Sequence, residues 1–358
     1  MKKAVLALGV LAASVSSAWA QSNVQIYGIV DAGVRYTTNS GGAGSRSGDS
    51  LTQLVPGGMS QSRLGLNITE DLGGGLKAIA NLEHRLNSDT GTVAAADFWR
   101  QSWVGLQSSD FGRITLGRQY NILFDIYTST YASFKYSPYI EAYKPEIGLS
   151  MGARQSNMVK YLIEANGLRG EIQVSAGEGD VAQQSKSYGG LLRYEANGFA
   201  AGGAYLQVED TSGKKVKGTT LGGSYSAGPL YVNLSWAQNK FDTGSLLQAA
   251  YTSGLGIPVN AAGNSVKKRE MFAGGVTYQL TTELNVGGHY WHTTQTTQLA
   301  ALPGKYKADF LALVADYAFS KRTDAYVEMD YSKFKGTIVL NNGESDRTGF
   351  MVGLRHRF

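Results

Sequence analysis

Val24-Gln25-Ile26-Tyr27-Gly28-Ile29-Val30-Asp31-Ala32-Gly33-Val34-Arg35-Tyr36-Thr37 alternates apolar and polar side chains along most of its length. Val24, Ile26, Val30, Ala32, Val34 and Tyr36 share one parity, while Gln25, Asp31, Arg35 and Thr37 lie on the other. Successive side chains of a β-strand point to opposite faces, so this stretch has one apolar and one polar face. The pattern returns along the chain. Leu64, Leu66 and Ile68 oppose Arg63, Asn67 and Thr69, and Leu76, Ala78, Ala80, Leu82 and Leu86 oppose Lys77, Asn81, Glu83 and Arg85. Near the end, Ala325, Val327, Met329 and Tyr331 oppose Asp324, Glu328, Asp330 and Ser332. Phe350, Val352, Leu354 and Phe358 then oppose Gly353, Arg355 and Arg357.

These segments run about 9 to 13 residues, a length that suits strands tilted across a bilayer. The connectors between them alternate between tight and long. Tight ones are 71–75, 109–112, 166–167, 197–198, 228–229, 281–282 and 321–322. Long ones fall near 38–59, 89–97, 121–153, 178–186, 210–217, 241–268, 294–305 and 335–345. Seven turns and eight loops join sixteen strands, an even count that leaves both termini on one side. The competing fold is a soluble β-sandwich, which also alternates. It is disfavoured because nearly every polar face carries charges that a packed interior could not hold unpaired. A closed barrel with a wet lumen accommodates them and leaves no open edge in lipid. The expectation is an all-β, 16-stranded antiparallel transmembrane β-barrel. Tyr27, Tyr36, Tyr317, Phe319 and Tyr331 lie near strand ends, where interfacial girdles are expected, although each could equally be a packing residue.

The two ends and the composition limit the rest. Met1-Lys2-Lys3, the apolar run 4–13 and Ala18-Trp19-Ala20 have the anatomy of a secretory signal peptide cleaved after Ala20, which implies export through the Sec pathway. The run is too short for a membrane-spanning helix. The remainder, 21–358, shows no linker or composition shift and is expected to be a single domain. Removing Lys2 and Lys3 takes the formal charge from +5 to +3, too small and too dispersed an excess for a nucleic-acid partner. Cysteine is absent, which excludes disulfides, thiol catalysis and thiolate metal sites. The four histidines, at 84, 289, 292 and 356, lack metal-ligand clustering, and the last and first fall on the apolar parity of their strands. No catalytic constellation, metal site or cofactor motif emerges, so an enzyme is not expected. The Gly73-Gly74-Gly75 run is read as a turn, because no helix follows it.

Several ordered blocks resemble the Gram-negative general diffusion porins of β-proteobacteria. They are 24–33; Ser62-Arg63-Leu64-Gly65; Glu70-Asp71-Leu72-Gly73-Gly74-Gly75-Leu76-Lys77-Ala78; Trp103-Val104-Gly105-Leu106; 111–119; and the C-terminal Leu354-Arg355-His356-Arg357-Phe358. The resemblance spans essentially the whole mature chain. It implies a homotrimer in the outer membrane, in contact with its lipid and lipopolysaccharide. It also implies passive passage of ions and small hydrophilic solutes, and an inward-folded third extracellular loop that narrows each lumen. Phe358 is the terminal aromatic that such barrels present to the β-barrel assembly machinery.

Segment 121–153 matches that loop: about 33 residues without period-two alternation, rich in Tyr and Phe. It offers Asp125, Glu141 and Glu146 as acidic candidates for the constriction, although it departs from the family's usual forms. On the wall side, Arg63, Arg100 and Arg154 match the family's basic cluster. Parity independently places Arg63 and Arg154 on polar faces, whereas the placement of Arg100 rests on the resemblance. Glu83 and Arg85 face the lumen by parity and are expected to join them. For each of these the plainer reading is a solvated wall charge or a loop brace. Clustered arginines in a low-dielectric constriction favour entry of anions, so an anion preference is expected. The rival readings are a substrate-selective channel with an aromatic or arginine-lined site, and an adhesin whose loops do the work.

Overall fold

The computed structural model describes residues 22–40, 48–179, 184–252, 266–298, 305–336 and 344–358; the expected signal peptide lies outside them, as do parts of the longer loops. Seventeen strand segments form one antiparallel sheet that closes on itself. Closure runs through β1 (Asn23–Thr37), whose outer half, from Ile29 to Thr37, pairs with β17 (Asp346–Arg357). Its other edge is shared. Asn23 to Ile29 pairs with β3 (Arg63–Gly73), and Gly33 to Thr37 pairs with the short β2 (Leu51–Val55). Thus β2 and β3 are two pieces of one stave, and the wall is a closed 16-strand barrel.

The remaining staves follow in chain order, each paired with its sequence neighbours. They are β4 (Leu76–Arg85), β5 (Trp99–Ser108), β6 (Gly112–Tyr120), β7 (Arg154–Ala165), β8 (Leu168–Ser175), β9 (Lys186–Ala196) and β10 (Phe199–Glu209). After them come β11 (Lys215–Ala227), β12 (Leu230–Phe241), β13 (Val266–Gln279), β14 (Leu284–Thr297), β15 (Lys305–Ala318) and β16 (Thr323–Lys335). The tight turns fall where the sequence placed them, whereas the connection expected at 210–217 is shorter, because β11 begins at Lys215.

The break between β2 and β3 has a local cause. Pro56 has no N–H to offer β1, and Gly57 turns the chain with φ +118°. The backbone donors freed by that turn converge on one carboxylate. Asp31 accepts from Gly58 N (3.0 Å), Met59 N (3.1 Å), Ser60 N (2.6 Å) and the Tyr326 hydroxyl (2.6 Å).

The wall is inverted relative to a soluble protein. On β1, Val30 and Val34 are 46% and 54% exposed, while Asp31 and Arg35 are 0% and 6% exposed. Large apolar side chains lie exposed on every strand around the outer surface, the arrangement that lipid requires. Tyr36, Tyr317 and Phe319 are among them, as expected of girdle residues. Tyr27 is not: it faces inward and donates to Glu83 (3.0 Å).

Asp31→Asn would turn a carboxylate oxygen into a donor facing backbone N–H groups. Leaving such buried partners unsatisfied costs about 1–3 kcal/mol. The variant should therefore lose heat resistance, read as the temperature at which the folded band disappears in semi-native electrophoresis. An unchanged temperature would show that the turn holds without this carboxylate.

Candidate functional site

The link from β6 to β7, 121–153, is packed against the inward face of the barrel. It begins with helix α1 (Ile122–Thr130), capped by Asn121, whose Oδ1 accepts from Phe124 N (3.0 Å). The Asn121 amide also donates to Ser150 O (2.8 Å), tying the start of the segment to its end. Ile122, Leu123 and Ile126 are buried against β9–β11 at Gly189, Gly218 and Gly202, where an added Cβ would sit within 3 Å of their side chains. Further along, Ser224 donates to Thr130 O (2.6 Å), Tyr231 to Ala132 O (2.8 Å) and Tyr143 to Tyr331 O (2.7 Å). Ala142 N donates to Gly58 O (2.9 Å). These anchors lie on β11, β12, β16 and the β2–β3 turn, so the segment reaches well around the wall from the strands that bear it.

Two clefts remain between this segment and the wall, of about 310 Å³ and about 220 Å³, and both are bordered by Phe124 and Tyr139. Arg63, Arg100, Arg355 and Arg357 line the larger, with no carboxylate. Arg85 and Arg154 line the smaller, facing Glu141 and Lys144, and Glu141 is the one carboxylate there. That carboxylate is itself paired with Lys144. The linings are therefore rich in arginine, but carboxylates behind them pair with five of the six. Glu83 pairs with Arg63 and Arg100, Asp97 with Arg85, and Asp324 with both Arg355 (3.0 Å) and Arg357 (2.5 Å), while Asp316 lies 3.5 Å from Arg355.

The arginines differ in how they are held. Glu83 is 3% exposed and accepts from Arg100 Nη1 (2.5 Å) and Tyr27, with Arg63 Nη1 at 3.8 Å. Arg85 shares Asp97 with Arg118. Arg100 and Arg154 both sit by the Tyr120 ring, 5.3 and 5.1 Å from its centroid, within cation–π range. Among the described residues no carboxylate lies within ion-pair distance of Arg154, and its Nε has no protein partner.

The loop carboxylates separate. Glu141 lines a cleft. Asp125 reaches Lys160 of β7 (2.5 Å) and braces α1 against the wall. Glu146 lies within the segment itself, accepting from Tyr127 Oη (2.8 Å) and Ser133 Oγ (3.3 Å). Arg355 and Arg357 were not singled out from the sequence as cleft residues, although the parity of β17 placed both on its polar face. Immediately beyond Arg357, Phe358 N and O exchange 3.1 Å hydrogen bonds with Gly28, and the Phe358 ring covers that glycine.

Burial pushes the Glu146 carboxyl up to about 7 from 4.5, so the folded segment holds that proton more tightly than the unfolded chain. Its contribution to stability is complete at low pH, falls as pH rises from about 4.5 to about 7, and is gone above that window. The melting temperature of the wild type should therefore fall more steeply between pH 5 and 8 than that of Glu146→Gln. Equal slopes would contradict the assignment.

The relatives agree with this architecture. The family described as Gram-negative porin matches residues 5–337. Outer membrane porin protein 32 of Delftia acidovorans is 32% identical, with all of both chains covered, and an outer membrane porin protein of Bordetella pertussis is 29% identical over the same extent. Among solved structures, an anion-selective porin from Comamonas acidovorans superposes with a TM-score of 0.70 at 25% identity, covering 94% of this chain and 100% of that one. With sixteen closed staves, an inverted wall and a family match along nearly its whole length, the chain belongs to the Gram-negative porins of the outer membrane.

Proposed function

We propose that this chain is a general diffusion porin that passes ions and small hydrophilic solutes through a water-filled lumen, anions ahead of cations. Segment 121–153 is the constriction, and Arg63, Arg85, Arg100 and Arg154 are its basic side, joined by Arg355 and Arg357. One observation carries the reading: six arginines line the two clefts, the carboxylates that pair with them are fewer (Glu83, Asp97, Asp316 and Asp324), and Arg154 has none within ion-pair distance among the described residues. Charge fixed on a narrow low-dielectric wall raises the local concentration of counter-ions and so biases which ion enters. The relative named as anion-selective supports the same sign.

The residues play unequal parts. Glu83 neutralises much of Arg100, which leaves Arg154 as the least compensated charge and Arg63 as half compensated across 3.8 Å. Glu141 meets solutes but is offset by Lys144, whereas Asp125 and Glu146 act by holding the constriction in place. The assembled unit is a homotrimer, delivered by the Sec pathway and recognised through Phe358 by the barrel-assembly machinery.

The test is conductance and zero-current potential of the purified protein in planar bilayers under a salt gradient. The wild type should conduct without saturation, in steps of three, with an anion-directed potential. Arg63→Gln with Arg154→Gln should reduce the anion-to-cation permeability ratio by about threefold or more. A cation-directed wild type, or small currents blocked by one solute at low concentration, would overturn the reading.

Tyr139→Ala removes a ring that borders both clefts. It should raise single-channel conductance and weaken selectivity, because a wider aqueous path lowers the local field. Unchanged conductance would show that the ring does not narrow the path.

A further inference from the structure

Ile29 breaks the pattern of β1. It shares the inward parity of Asn23, Gln25, Tyr27, Asp31, Gly33, Arg35 and Thr37, and is the aliphatic side chain among them. Its cross-strand partners are Arg63 on β3 and Arg357 on β17. Side chains directly opposite on one face of an antiparallel pair stand about 5 Å apart, so the row reads cation, aliphatic, cation. All three are half-buried and line the larger cleft, which no carboxylate lines. Each guanidinium is engaged on one side. Arg63 Nε donates to Gln61 O (3.0 Å) and its Nη1 lies 3.8 Å from Glu83, while Arg357 Nη1 donates to Asp324 (2.5 Å). Among the described residues, Nη2 of neither arginine has a hydrogen-bond or ion-pair partner.

The rest of that lining is aromatic. Tyr120, at the end of β6, stacks on Phe124 (4.3 Å, 20°), and Phe124 meets Tyr139 edge to face (5.9 Å, 67°). Tyr136 is half-buried and Pro138 exposed, so apolar surface meets water here as well. Guanidinium over ring is a contact this lining already makes, with Arg100 5.3 Å from the Tyr120 centroid. A volume of about 310 Å³ stands at the small end of ligand-sized clefts, and apolar walls with a few convergent polar groups are what such clefts present to an organic solute.

We infer that, among the anions this pore admits, the larger cleft favours aromatic carboxylates, with the carboxylate on Arg63 or Arg357 and the ring against Ile29 and Tyr136. The inference rests on the porin reading above and narrows it to a class of solute. A small inorganic anion uses the arginines and leaves the rings and Ile29 in water. A neutral aromatic solute does the reverse. An aromatic carboxylate engages both, and its flat face can lie on a tyrosine ring or under a guanidinium. Glu83 and Asp324 already occupy part of each guanidinium, which keeps the hold weak enough for release, so the preference is expressed as faster passage.

The test uses the full mature protein in planar bilayers, with potassium chloride on one side and potassium benzoate or cyclohexanecarboxylate on the other. The zero-current potential then gives each permeability relative to chloride. The two carboxylates carry the same charge on six-carbon rings and differ in flatness and in the π-face. The wild type should pass benzoate at least about threefold faster than cyclohexanecarboxylate. In Ile29→Ser/Tyr136→Leu that ratio should fall to near one. In Arg357→Gln both carboxylates should slow together. A wild-type ratio near one would overturn the proposal, whatever the variants do. So would a ratio that persists in Ile29→Ser/Tyr136→Leu, because benzoate would then be passing only as the thinner solute. A gradient of potassium chloride alone separates the two readings. An anion-directed potential with no preference between the carboxylates sinks this inference and leaves the porin reading standing, whereas a cation-directed potential sinks the porin reading itself.

Discussion

A backbone N–H or C=O that meets hydrocarbon without a partner costs several kcal/mol, and every other feature of this barrel follows from avoiding that cost. Closure of β1 against both β17 and the β2–β3 stave removes the two edges that an open sheet would expose. Where the ladder is interrupted, at Pro56–Gly57, the loose donors turn inward to Asp31 rather than outward to lipid. Once the outer face is committed to apolar side chains, charge can be placed only inside or at the rims. The interior is therefore the polar side of this protein, and the longest non-wall segment among the described residues has to make its own core there.

Segment 121–153 does so by borrowing surface from the wall. Glycines on β9–β11 leave hollows into which Ile122, Leu123 and Ile126 fit, and hydroxyl groups from β11 and β12 accept the role of donors to its backbone. Buried Glu146 and Tyr127 bind each other inside the segment. The result is a rigid partition with arginines on the facing wall. Rigidity matters for the proposed selectivity, since a field acts on a passing ion only if the charges cannot swing to meet counter-charges of their own. Glu83 fixes Arg100, and the Tyr120 ring stands beside both Arg100 and Arg154.

Much of this was legible along the chain because strand faces are written with period two. The parity of Val24 to Thr37 gave the direction of Asp31 and Arg35, and the spacing of turns gave sixteen staves. What could not be read is whatever depends on register between strands or on contacts across the lumen. With no alternation in 121–153, Asp125, Glu141 and Glu146 could be read only as three carboxylates of one loop; their separate fates depend on Lys160, Lys144 and Tyr127. Arg355 and Arg357 lay on a polar face in plain view, but nothing local said that β17 passes the larger cleft.

The central claim is that the arginine-lined clefts hold permeating anions. It is tested most directly by locating ions in crystals of the protein, with anomalous diffraction data collected after exchange into rubidium bromide. The account predicts bromide in both clefts, near Arg154 and between Arg63 and Arg355, with rubidium absent from them. Rubidium at Glu141 or Glu83 with no bromide in either cleft would contradict it.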